Sequence, residues 1–215
     1  MWSWICLRRR PISSGRSDRG VALPGAVLFA AFLAGLTGWL VGHVVTDEAM
    51  TRDVEDAAAA ARVADAAVEI AAHALGQAAD WSNVGALALP LACPPAATAV
   101  TPLDEGAERA WIQAETDAAG RWSADAPQWV WLWTCHGAGV LHRWPARGLA
   151  PSVVVWVADD PEGDGQPLAS ANGTLLLAAV AVARDGTRVA TRAAIARSAP
   201  GESVRILSWH GAGGG

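Results

Sequence analysis

The sequence predicts an α+β protein: a long N-terminal α-helix followed by a small antiparallel β-sheet. Three observations carry that reading. From Val21 to Thr46 the chain holds no Asp, Glu, Lys or Arg, and an Ala-rich stretch follows with no helix breaker before Gly76. Beyond residue 127 the pattern changes to short β-branched and aromatic runs. Two of those runs flank Arg184-Asp185-Gly186, and Asp-Gly between strand-like segments is a strong hairpin signal.

Residues 1–20 form a basic leader. Arg8, Arg9, Arg10, Arg16 and Arg19 stand against Asp18, a local net of +4 in a chain of net charge -5. With the remainder at -9, the chain has no basic face for nucleic acid. The basic residues are all Arg, which together with abundant Ala and Gly and no Tyr reflects genome composition rather than function.

Residues 21–45 are the apolar segment VALPGAVLFAAFLAGLTGWLVGHVV. About 20 apolar residues cross a bilayer, so this run spans one with some tilt. The Arg-rich flank before it and Asp47 and Glu48 after it place the N-terminus in the cytoplasm and the C-terminus outside. A cleaved secretory signal is the rival reading. Its apolar core is shorter, and Gly42-His43-Val44-Val45 offers no small-x-small site.

Residues 46–79 extend the helix. Ala is the best helix former, and Val54, Val63, Val68, Ile70 and Leu75 punctuate the charges. One helix from Val21 to Ala79 would measure about 88 Å. Pro24 falls in its first turn, where proline is tolerated. Asp80-Trp81-Ser82-Asn83 ends it.

Residues 80–127 read as a loop-rich connection, with a brief helix around 106–118. The β domain occupies 128–210, with strands expected at 128–134, 152–158, 175–183, 187–197 and 204–209. Residues 211–215 form a glycine-rich tail. Trp129, Trp131 and Trp133 alternate, so they are expected on one strand face. That face is either core or an exposed aromatic surface for a partner or a sugar.

The chain has three cysteines. If the apolar segment spans, Cys93 and Cys135 share an oxidising compartment and can pair; the alternative is two free thiols. No C-x-x-C pair suggests structural zinc. No G-x-S-x-G or H-E-x-x-H occurs, and His43, His73, His136, His142 and His210 lack metal-ligand spacing. Cys135-His136 with His142 reads more simply as loop residues than as a site. The expectation is a non-enzymatic protein without a resident cofactor.

One acidic turn invites a cation. Asp159, Asp160, Glu162 and Asp164 imitate part of a calcium loop, since Ca²⁺ takes six to eight oxygens. The acid expected at loop position twelve is instead Ala171, so an ordinary EF-hand is excluded. The alternative is a solvent-exposed Pro/Gly-rich turn.

Three stretches together resemble a known family: RGVALPGAVLFAAFLAGL, ADAAVEIAAHALGQAADWSNV, and SVVVWVADDPEGDGQPL with the hairpin after it. They resemble type IV pilin-like proteins, most of all the PilX-type minor pilins of pilus assembly. The resemblance implies a pilin-like fold and cleavage by a prepilin peptidase between Gly20 and Val21. It implies other pilin-like subunits as partners through the N-terminal helix. It also implies an inner-membrane protein, single-pass, with its C-terminal domain in the periplasm or on a surface filament. This chain departs from the family at the fifth mature position, where pilins usually carry Glu and Gly25 stands here. In the family that carboxylate meets a neighbour's N-terminal amine during docking, so its absence suits a tip or priming role. A signal-anchored periplasmic binding domain that never enters a filament is the other reading.

Overall fold

The computed structural model describes residues 22–78, 80–87, 89, 91, 93, 102–119, 126–137, 150–161, 166–199 and 202–211. An α+β architecture results: helix α1 (Ala22–Gln77), helix α2 (Glu105–Ala118), and five strands. The strands are β1 (Val130–Cys135), β2 (Ser152–Asp159), β3 (Thr174–Val182), β4 (Arg188–Ala196) and β5 (Arg205–His210). They form one antiparallel sheet in the order β1-β2-β3-β4-β5. The chain divides after Met50 into two units, taken separately below.

In the first unit, Leu23–Met50 of α1 presents exposed side chains all round. Leu23 is 75%, Phe29 63% and Val45 61% accessible. This helix is long and apolar enough to cross a membrane. Its two threonines bond to the helix's own backbone. Thr37 Oγ1 donates to the carbonyls of Leu33 and Ala34 at 3.0 and 2.9 Å, and Thr46 Oγ1 donates to that of Gly42 at 2.9 Å. A membrane environment would require such internal satisfaction.

In the second unit, α1 buries Ala60, Val63, Ala64, Ala67, Val68, Ala71 and Leu75, a 3-4 spacing that makes one stripe. Small residues on the helix let its backbone approach the sheet. The sheet supplies the bulk: Val153, Val155, Val157, Leu175, Leu177 and Ile195. Each fully buried Leu or Ile contributes about 1.5–3 kcal/mol. One polar contact is built into this layer, where the hydroxyl of buried Thr191 donates to Asp65 at 2.7 Å.

The opposite sheet face is covered by α2. Asp104 caps this helix by accepting from the backbone N–H groups of Gly106 and Ala107 at 3.0 and 3.2 Å. Hence α2 starts at Glu105, one residue before the expected start. Ile112 packs with Trp129, Val154, Trp156, Ala178 and Val180. Two ion pairs tie α2 to β4: Arg188 Nε to buried Glu108 at 2.7 Å and Arg192 Nη2 to Glu115 at 2.6 Å. The Glu108 partner raises the pKa of Arg188, chiefly by accepting its hydrogen bond.

The three alternating tryptophans do not share a face. The β1–β2 register slips between Trp131 and Trp133, because Trp131 opposes Trp156 while Trp133 opposes Val155. The extra residue is a bulge, and it resets the alternation. Trp129 therefore packs on the α2 side, while Leu132 and Trp133 join the α1-side core. Trp131 is left 46% accessible.

Arg184-Asp185-Gly186 makes the β3–β4 hairpin. Gly186 adopts φ 85° and donates its N–H to Ala183 O at 3.0 Å, while Ala183 N–H donates to Thr187 O at 2.8 Å. The Asp185 carboxylate accepts from Thr187 N–H at 2.8 Å and from its hydroxyl at 2.6 Å. Those bonds, the hydroxyl's first, hold the Asp185 pKa below the ordinary carboxylate value.

Candidate functional site

Two surfaces among the described residues are candidates for contact with other molecules. The first is the apolar half of α1, where Gly25, Gly35, Gly38 and Gly42 have open space around the position a Cβ would take. Trp39 and His43 pack edge to face there, with ring centroids 4.3 Å apart. Such a helix can lie in lipid or pack against other apolar helices. Gly20 and Val21, the residues of the expected cleavage, lie outside the described residues.

The second is a groove of about 480 Å³ in the C-terminal unit. Glu69, Ala72, His73, Gly76 and Gln77 of α1 line one wall; Glu202, Ser203, Val204 and Ile206 line the other. Gly76 makes this meeting close, since a Cβ there would stand 3.0 Å from the Val204 side chain. His73 is held by Gln77, with 3.1 Å between the imidazole and amide nitrogens. The sequence alone did not pair these segments, which lie more than a hundred residues apart.

The end of α1 is locked by Trp81, which the sequence marked only as part of a helix stop, and by Arg197, which it placed at the end of a strand. Trp81 Nε1 donates to Leu75 O at 3.0 Å, and the Arg197 guanidinium lies 4.2 Å over the Trp81 ring. Arg197 also donates to Ala78 O. This satisfies terminal carbonyls that a helix otherwise leaves open. Burial lowers the Arg197 pKa, and Asp80 opposes that effect. Asp80 itself accepts from the Ser82 N–H and hydroxyl, each at 2.8 Å, and these bonds hold its pKa low.

Cys93 and Cys135 are bonded as a disulfide with Cα atoms 5.3 Å apart, a span that suits the bridge. Cys135 is therefore no thiol beside His136; His142 lies outside the described residues.

The acidic turn is split. Asp159 closes β2 and is buried. The Asp160 carboxylate accepts from the Asn172 amide at 3.1 and 3.2 Å. Asn172 Oδ1 in turn accepts from Thr174 N–H at 2.6 Å. In this arrangement Asp160 pins the turn leading into β3. Glu162 and Asp164 lie outside the described residues, and among those described no three His, Cys, Asp or Glu side chains gather as metal ligands.

No protein-family model, curated protein or solved structure matches this chain.

Proposed function

We propose that this protein is a minor pilin-like subunit that helps assemble or prime a type IV pilus or related filament, without chemistry of its own. One observation carries the reading. α1 is a single unbroken helix, Ala22–Gln77, whose first half exposes apolar side chains all round. Its second half packs on a five-stranded antiparallel sheet. A subunit of that design is held in the inner membrane by its helix before assembly. It then exchanges lipid for neighbouring pilin-like helices. The Arg-rich leader favours a cytoplasmic N-terminus. The Cys93–Cys135 bond favours a periplasmic C-terminal domain, because disulfides persist in oxidising compartments. Prepilin peptidase is the enzyme that would act on Gly20-Val21.

Gly25 favours a second reading, because it removes the carboxylate that the resemblance calls for in filament docking. On that reading the chain is a signal-anchored periplasmic interaction domain. N-terminal sequencing of the membrane-extracted protein tests the choice. A chain beginning at Val21 that co-purifies with pilus proteins supports the minor pilin. A chain beginning at Met1 without such partners refutes it.

A further inference from the structure

We infer that the groove between α1 and the lead into β5 is a peptide-binding site for an extended segment that alternates aliphatic and basic residues. The inference is independent of the role of the apolar helix.

Shape comes first. At about 480 Å³ the groove lies within the size range of ligand sites, which runs from about 300 to 1,000 Å³. It is open to solvent rather than closed, which admits an extended chain. Ala72, Val204 and Ile206 supply apolar lining, and Ile206 stays 45% accessible beside it.

The sheet edge comes second. β5 is the last strand and, among the described residues, pairs with β4 alone. An extended peptide can add to such an edge, with main-chain bonds giving affinity and alternate side chains entering the groove. The β4–β5 register slips only beyond Ile206, between the pairs Ile195–Ile206 and Ala194–Ser208, so the groove lies before the irregularity.

Charge decides the occupant. The carboxylates lining the groove are Glu69 and Glu202, and the lining contains no Arg. Elsewhere in this unit Asp56, Glu108 and Glu115 are matched by Arg184, Arg188 and Arg192. Asp53, Glu55, Glu69 and Glu202 have no ion-pair partner among the described residues, and of these Glu69 and Glu202 flank a partly apolar concavity. A guanidinium or ammonium beside an aliphatic side chain matches both properties. A net charge of -5 attracts the same partner at long range.

The test uses the full chain in nonionic detergent micelles and fluorescence anisotropy of labelled pentapeptides. The probe alternates arginine and valine. The controls alternate glutamate and valine, or contain arginine only. Saturable binding of the probe is expected, with both controls much weaker. Removing both carboxylates (Glu69→Gln with Glu202→Gln) is expected to weaken binding about tenfold, the sum of two exposed charge contacts. Ser203→Trp, at an exposed rim position, fills the groove without touching the core and is expected to abolish binding. Equal binding by the double variant, or by the arginine-only peptide, overturns the inference, as does failure of the probe to saturate. None of these results bears on whether the chain begins at Val21.

Discussion

Substituting Gly173 by Ala should destabilise the C-terminal unit more than the same change at Gly186, although both glycines sit at positive φ. Gly173 has φ 73° and Gly186 has φ 85°. An L-residue in that region costs roughly 1–2 kcal/mol, so the two sites share a common penalty. They differ in what a new Cβ meets. At Gly186 nothing lies within 4 Å, whereas at Gly173 the Arg197 carbonyl oxygen lies at 2.6 Å. An ordinary carbon–oxygen approach is about 3.3 Å, so the backbone must move. That movement works against the bond from Arg197 N–H to Gly173 O, 3.0 Å long, at the far end of the β3–β4 ladder. Overpacking of this kind costs about 1–3 kcal/mol. Gly173→Ala should therefore lose about 2–5 kcal/mol and Gly186→Ala only about 1–2. Urea unfolding of the full chain in nonionic micelles, followed by tryptophan fluorescence, measures both. Equal losses at the two sites, within about 0.5 kcal/mol and at unchanged slope, refute the steric argument and leave only the shared dihedral cost.

Cys93→Ser should lower stability by about 4 kcal/mol, because the bridge to Cys135 closes a 42-residue interval and the unfolded chain regains that freedom; the shift in urea midpoint measures it, and no shift would contradict the loop-entropy account. Asp185 is held below its ordinary pKa by Thr187, so its contribution is present above about pH 3.9 and is lost as pH falls through the lower folded value. Thr187→Ala should raise the Asp185 pKa, as followed by carboxyl carbon NMR, and an unchanged titration would show that the hydroxyl is not the cause.

Much of this architecture is legible in the residues, for identifiable reasons. The strand expected at 152–158 reads as buried because it is β-branched on both faces, and in β2 both faces are covered, by α1 and by α2. The Asp185-Gly186 signal is local, and a local signal survives folding. Trp129, Trp131 and Trp133 misled because alternation presumes an even ladder, whereas the extra residue in β1 is fixed by its partner strand. The ion pairs Glu108–Arg188 and Glu115–Arg192 span about eighty positions, and no periodicity reports a contact of that separation. The same limit hid the groove. Its walls come from α1 and from the approach to β5, and only the completed sheet brings Gly76 against Val204.

The strand order of the sheet has a consequence for how the protein is made. Each strand after β1 pairs with the one synthesised just before it. A ribosome adding residues at 5–20 per second therefore delivers β2 to β5 each to a neighbour that already exists. Strand pairing is thus between neighbours in sequence, and contacts local in sequence favour rapid folding. The exception is α1, made first, whose Ala-lined stripe is covered by residues as late as Trp209. During synthesis that stripe is the surface most in need of a temporary companion, and the arrival of β4 and β5 ends the need.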